Sequence, residues 1–365
     1  MRRPPLTFAS CGLLLAMLLA VLLVLGCASG AQHKRWLGLD TAQYHVQTGL
    51  LFLERGKPED ARRELALAVE LDPGCGVAYC GLTVACAQLE RFPEARDHLA
   101  KARALAKDDR SRCQTNVANI RLLAAERPVR WLEEAQALYV QAASLCPQDT
   151  AAAYYMALCY RDALRLERSA ALLQVVAQAG GAFADEAAAE WRLVERARRC
   201  TPRSELGREL AARAALTRAE VAALLAAELN IAGEWSGPAP PDLAAHRLKA
   251  QVLPVLALRL GPLRPYGDGT FHPDTPLTRA EFAELAVAIL AHLDPEGIEW
   301  QAPPRPPYPD LSPDLPGYRA LTLCATRGLL EVRDLFTGQL EPASPVSGAD
   351  ALLAIGRLRE ERGPR

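Results

Sequence analysis

A repeat period of about 34 residues restricts the first half of this chain more than any other feature of the sequence. The interval from Ala61 to Ala95 recurs from Ala135 to Ser169. The step between these two pairs is longer, so one connection contains additional residues. Each of the four small residues belongs to an apolar pattern with helical spacing. A repeat of this length predicts stacked helical hairpins, because one hairpin cannot bury its own apolar face.

Small and large apolar residues alternate where paired helices would touch. The small residues that would allow a close approach are Gly49, Ala61, Ala95 and Ala157. The large residues that would fill the spaces opposite them are Phe52, Tyr79, Leu99 and Tyr160. This pattern resembles the tetratricopeptide repeat. The resemblance implies that residues 42–200 form an α-solenoid of about four units, closed by a capping helix that carries Trp191.

The concave face of such a solenoid usually holds an extended peptide or a partner helix. No basic cluster on the inner helices identifies a ligand with a C-terminal carboxylate. The partner is therefore expected to be an unknown protein or peptide, and a rigid spacer without a ligand is an equal alternative.

A second repeat occupies the last part of the chain. Its clearest copy contains Asp268-Gly269-Thr270-Phe271, and the segment TRAE follows at 278–281. Another TRAE lies one copy earlier at 217–220, and the weaker segment SGAD lies one copy later at 347–350. Proline-rich stretches at 237–241 and 302–307 separate the copies.

This second pattern closely resembles the S-layer homology domain, in which a DGxF loop precedes TRAE. The resemblance implies a compact, pseudo-threefold helical domain at residues 203–365. The first copy lacks the loop and the third has Gly348 in place of arginine, so both are degenerate. The whole chain is thus predicted to be all-α, with an α-solenoid followed by a small helical domain.

The TRAE segments have one structural explanation. A threonine followed three residues later by glutamate, ahead of an apolar run, is a capping box. Thr217 with Glu220, and Thr278 with Glu281, are expected to cap two helices. Ser347 with Asp350 provides a shorter version in the third copy.

The arginines of TRAE suggest a different role. Arg218 and Arg279 would lie in the first turn of a helix, where the dipole disfavours a cation and where backbone N–H groups attract an anion. In the S-layer homology family this arginine contacts the carboxylate of a pyruvylated sugar in cell-wall polysaccharide. The resemblance implies that Arg279 binds such a polysaccharide, and that Arg218 does so with an incomplete loop. A solvated surface arginine is the alternative.

The N-terminus predicts the compartment. Arg2 and Arg3 precede a continuous apolar run from Cys11 to Gly26, which suits a signal peptide over residues 1–26. The residues up to Cys27 resemble a bacterial lipobox, which implies lipid on Cys27, a linker over 27–41 and a membrane anchor. An ordinary cleaved signal and an uncleaved anchor are the alternatives. In a host with two membranes, Ala28 favours the outer membrane, facing the periplasm.

Charge and cysteine usage exclude several classes of function. The chain has 42 basic and 43 acidic residues, a balance that argues against nucleic-acid binding. Besides Cys11 and Cys27 there are eight cysteines, with no CxxC and no zinc spacing. In an exported protein one or two disulfides are possible, but the sequence does not indicate their pairing.

No hydrolase, zinc-protease or nucleotide-binding motif occurs, so we expect a protein that is not an enzyme and uses no cofactor or metal. The sequence favours an envelope lipoprotein that tethers a membrane to cell-wall polysaccharide, each attachment reinforcing the other. An envelope assembly or export adaptor, with structural C-terminal units, is the second hypothesis. A wall hydrolase would need a carboxylate pair or metal centre, which the sequence does not offer.

Overall fold

A computed structural model describes residues 41–293, 308–333 and 337–361. Across these ranges the regular structure consists of α-helices and one short 3-10 helix, Pro241–Leu243, without a β-strand. The all-α prediction is therefore confirmed. The signal peptide predicted at 1–26, Cys27 and the proline-rich stretch 302–307 lie outside the described residues. None of the described helices is long and apolar enough to traverse a bilayer.

The helices fall into a first and a second series. The first series contains α1 (Ala42–Glu54), α2 (Pro58–Leu71), α3 (Gly76–Gln88), α4 (Phe92–Leu105), α5 (Asp109–Glu126), α6 (Trp131–Leu145) and α7 (Ala151–Asp162). The second series contains α8 (Leu166–Ala179), α9 (Ala184–Arg198), α10 (Glu205–Leu210), α11 (Arg218–Leu229), α12 (Lys249–Leu256), α13 (Arg279–Leu293), α14 (Tyr318–Thr326) and α15 (Gly348–Glu361).

The chain divides into two compact units between Met156 and Ala157, within α7. The domain limits expected from the sequence, 42–200 and 203–365, follow the repeats rather than this division, and they stay a prediction. The division groups α8 and α9 with the C-terminal helices. Ala197 of α9 belongs to the hydrophobic cluster of those helices, and Leu166 of α8 packs against it.

In the first unit, consecutive helices pack through the small residues of the repeat. Leu65 of α2 is completely buried. A Cβ atom built on Gly49 of α1 would lie 2.5 Å from Leu65 Cγ, and one built on Gly81 of α3 would lie 2.8 Å from Leu65 Cδ1. Both glycines are therefore required for close helix approach around one large side chain. Ala61, which is completely buried, has the same role on α2.

At the centre of the second unit, three short segments close a ring of backbone hydrogen bonds. Leu216 N donates to Val346 O, Val346 N donates to Leu277 O, and Leu277 N donates to Leu216 O, each at 2.9 Å. Each segment directly precedes one of the helices α11, α13 and α15. The ring is the pseudo-threefold arrangement that the resemblance implied, and its three side chains are completely buried.

Two aspartates hold the loops that precede this ring. Asp242 accepts hydrogen bonds from Phe271 N and His272 N, while Asp310 accepts from Leu340 N and Glu341 N at 3.0 and 2.6 Å. The third copy therefore keeps the loop geometry of the second although its sequence is weaker.

Candidate functional site

The TRAE threonines and glutamates cap their helices. Thr217 Oγ1 accepts from Glu220 N at 3.2 Å, and Thr217 N donates to Glu220 Oε2 at 3.0 Å. Thr278 and Glu281 make the same pair of bonds at 3.2 and 2.8 Å. Both segments thus satisfy backbone groups that the start of a helix leaves unpaired.

The side chain of Arg279 lies inside the protein, completely buried. Its Nε donates to Leu340 O and its Nη2 to Glu331 O, both at 2.6 Å. Its Nη1 is 2.8 Å from Asp350 Oδ2, an ion pair in which both side chains are inaccessible to solvent. Arg279 therefore crosses from the second copy to the loop and helix of the third.

Arg218 makes the equivalent crossing from the first copy to the second. It is 2% exposed, and its Nε donates to Phe271 O at 2.9 Å. Its guanidinium also lies over the rings of Phe271 and Tyr266, with 4.8 and 4.9 Å to the centroids. Burial lowers the pKa of both Arg218 and Arg279. The aromatic rings stabilise the cation of Arg218, and Asp350 stabilises that of Arg279.

These positions contradict the expectation that Arg218 and Arg279 face an anion from outside. The backbone amides that such an anion would need are also occupied: Arg218 N donates to Thr275 O and Arg279 N donates to Ser344 O, each at 2.9 Å. A loop of the next copy thus occupies the place expected for a carboxylated sugar. A polysaccharide carboxylate would therefore need a different surface.

Gly348 stands where the third copy would have its arginine, and the structure gives the reason. A Cβ atom on Gly348 would lie 1.7 Å from Leu210 O, at the end of α10. The chain of the first copy thus occupies the space of a side chain. Glu220 of the first copy corresponds to Asp350 of the third. It has Arg247 at 3.5 Å and Arg213 at 3.7 Å, in place of an arginine from position 348.

Asp350 is surrounded by three guanidinium groups. Besides Arg279, it contacts Arg333 Nη1 at 3.2 Å and Arg196 Nη2 of α9. Burial by itself would raise the pKa of Asp350, but Arg279, Arg196 and Arg333 outweigh it and hold that pKa below its usual value. This inter-copy acid could have been suspected from the sequence, because SGAD retains a carboxylate while losing its arginine.

One groove of the second unit combines cations with aromatic rings. We call it the α9 groove; its volume is about 770 Å³, and Trp191, Arg192, Arg196, Arg199, Tyr308 and Arg333 line it. Glu195, Glu331 and the apolar residues Leu330 and Val332 also belong to its wall. Arg199 is paired with Glu331. Arg192 is exposed and has no ion pair within the described residues, and the buried Nε of Arg196 likewise lacks a hydrogen-bond partner there.

The part of the α9 groove around Arg192 and Trp191 offers groups that can bind an anionic sugar. Guanidinium groups bind carboxylates with charge-assisted hydrogen bonds, and the aromatic rings offer flat apolar faces with a polar edge. Sequence reasoning missed this surface, because it placed Trp191 in a capping helix and did not connect that helix with residues 308–333.

Nothing in the described ranges resembles a metal centre, since no group of three His, Cys, Asp or Glu side chains could hold an ion. Comparison with protein families finds the tetratricopeptide repeat at residues 52–120 and the S-layer homology domain at residues 257–283. The chain therefore contains a region of each kind, in that order, as the sequence patterns predicted. Both are non-catalytic families. No curated protein matches the chain significantly.

Proposed function

We propose that this protein, which joins tetratricopeptide repeats to an S-layer homology domain, is a non-enzymatic envelope protein that tethers a membrane to cell-wall polysaccharide. S-layer homology domains generally bind such polysaccharides, and tetratricopeptide repeats bind proteins. The solenoid would present a surface to a protein partner, while lipid on Cys27 would provide the membrane attachment.

The α9 groove is the observation that carries polysaccharide binding. It offers an exposed guanidinium at Arg192 and a half-buried indole at Trp191, whereas Arg279 is completely enclosed. A saccharide carboxylate could pair with the exposed Arg192 without any rearrangement of the core. Binding there, unlike binding at Arg279, leaves the buried ion pairs intact.

Co-sedimentation of the full chain with purified cell-wall sacculi tests this role. We expect Trp191→Ala and Arg192→Glu each to weaken binding by about tenfold or more, since aromatic and arginine contacts dominate interfaces. Arg208→Glu is the matched control, because Arg208 is an exposed arginine of the same unit outside the groove. Circular dichroism would verify that all three variants are folded. Unchanged sedimentation of both groove variants would exclude the groove as the polysaccharide site.

The lipid anchor is tested by mass spectrometry of the mature N-terminus. We expect a chain that begins at Cys27 and carries acyl groups, and expect Cys27→Ala to release the protein from the membrane fraction. An unmodified N-terminus elsewhere would contradict the tether while leaving polysaccharide binding open. In a host with two membranes, the modified protein is expected in the outer-membrane fraction.

A second candidate function, an envelope assembly or export adaptor, is favoured by the inward direction of Arg218 and Arg279. Both arginines hold copies together, which is the behaviour expected of a purely structural domain. Parent protein that fails to sediment with sacculi, but retains a partner captured through the solenoid in the envelope fraction, would support the adaptor.

A further inference from the structure

Two cysteines face one another across the hairpin of α5 and α6. Cys113 lies in the first half of α5, and Cys146 follows the last residue of α6. Cys113 Sγ lies 3.7 Å from Ala142 O, one turn before Cys146. Cys146 Sγ lies 3.7 Å from Asp109 O, one turn before Cys113. This reciprocal arrangement places each thiol beside the backbone turn that leads to the other.

The two cysteines differ in their exposure to solvent. Cys113 is 1% exposed and packs with Ala142 and Ala152. Cys146 lies at the rim of this cluster and is partly open to solvent. Burial and the thiol of Cys146 raise the pKa of Cys113 to about 12, so Cys146 is the thiol that a reagent from solvent would meet first.

Four of the other described thiols are directed toward different groups. Cys80 Sγ is 3.7 Å from Thr115 Oγ1, and Cys86 Sγ is directed to Glu94. Cys200 and Cys324 donate to backbone carbonyl groups. Cys75 lies near Cys80, but it is only five residues away along the chain. Cys113 and Cys146 differ from these thiols in that each sulfur contacts the helical turn that leads to the other cysteine.

We propose that Cys113 and Cys146 form a disulfide that joins α5 to α6 once the protein enters an oxidising compartment. The location rests on the proposed export, but the pairing rests on the geometry. All eight cysteines within the described ranges are free thiols in this structure. The bond would close a loop of one repeat length and hold a central hairpin of the solenoid in a single arrangement.

The oxidant is an external disulfide, such as that of glutathione or of a thiol oxidoreductase. The Cys146 thiolate attacks one sulfur of that disulfide, forms a mixed disulfide and releases one thiolate. The Cys113 sulfur then attacks Cys146 Sγ and expels the second thiolate, which takes up the Cys113 proton. Two protein thiols are oxidised and one external disulfide is reduced to two thiols.

The test uses the full chain, purified reduced, incubated with oxidised glutathione and then alkylated. We expect a linked peptide containing Cys113 and Cys146, two fewer free thiols, and a midpoint of thermal unfolding higher by about 5 °C or more that dithiothreitol reverses. Cys146→Ser should lose all three effects. Cys75→Ser, a change at another partly buried cysteine of the first unit, should keep them.

Two results would overturn the pairing: glutathione retained on Cys146 without closure, or links that join other cysteines. Because this assay needs no export, it separates the pairing from the proposed location. The same alkylation on intact cells then tests the location. A pair that closes in the purified protein but is reduced in cells would contradict export and leave the disulfide chemistry standing.

Discussion

Asp350→Asn is expected to lower the free energy of unfolding of the second unit by about 3–5 kcal/mol, the usual cost of removing one partner from a buried ion pair. The amide would keep an acceptor for Ser347, whose Oγ lies 2.8 Å from Asp350 Oδ2. It would leave the buried cation of Arg279 without a counter-charge. Urea unfolding of parent and variant measures the difference.

The matched control is Asp268→Asn. Asp268 also accepts two hydrogen bonds, both from Thr270, but it is exposed and lies in a loop of the same unit. We expect its replacement to leave stability nearly unchanged. Equal effects of the two substitutions would show that the buried pair has no special weight. A double variant, Asp350→Asn with Arg279→Met, should recover part of the loss, because it keeps an acceptor for Ser347 and removes the buried cation that Asp350→Asn leaves unpaired.

Acid should act through the same carboxylate. The pKa of Asp350 is depressed in the folded protein, so the charge of this group stabilises the folded state above the ordinary pKa of an aspartate. That contribution is lost as the pH falls through the lower, folded value. Asp350→Asn lacks this contribution at every pH, so less acid is needed to unfold it. We therefore expect the acid-unfolding midpoint of the second unit, measured by tryptophan fluorescence, to shift toward neutral pH.

The second large effect is expected from Gly348→Ala. The new methyl group would be placed 1.7 Å from Leu210 O and 2.7 Å from Leu210 C, both backbone atoms that cannot rotate away. Either α10 or α15 must shift, and we expect a loss of about 3 kcal/mol or more in the free energy of unfolding. Thermal unfolding monitored by circular dichroism would measure it.

Gly356→Ala provides the comparison within the same helix. Its nearest neighbour for an added methyl is Arg359 Nη2 at 3.9 Å, so no contact is violated. Alanine is the better helix former, and this variant should gain up to about 1 kcal/mol. If Gly348→Ala is as stable as Gly356→Ala, then α10 does not occupy the position described for it.

Local sequence rules were sufficient for helices, hairpins and caps. The period of the first repeat identified the packing of Ala61, and Thr-x-x-Glu identified both capping boxes. These features depend on residues that are close in sequence, so the pattern contains the information. The position of the ring segments was implied only through the family resemblance.

The direction of Arg279 could not be obtained in the same way. A helix start looks suited to an anion as long as its amides are free, and the loop that occupies them comes from residues 340–344, one full copy further along the chain. The α9 groove depends on an even more distant contact, between α9 and residues 308–333. A binding role predicted from one copy of a repeat is therefore wrong when the next copy supplies the partners of the same side chain.

The closed ring of Leu216, Leu277 and Val346 has a consequence for how this domain can change. Its members follow a fixed cyclic order: Arg218 of the first copy donates to a carbonyl of the second, and Arg279 of the second donates to a carbonyl of the third. Deleting one copy, or exchanging two of them, would leave carbonyl groups without their donor and a buried arginine without its acceptors. Individual positions can therefore change, as in the third copy, but a closed ring of this kind requires three copies.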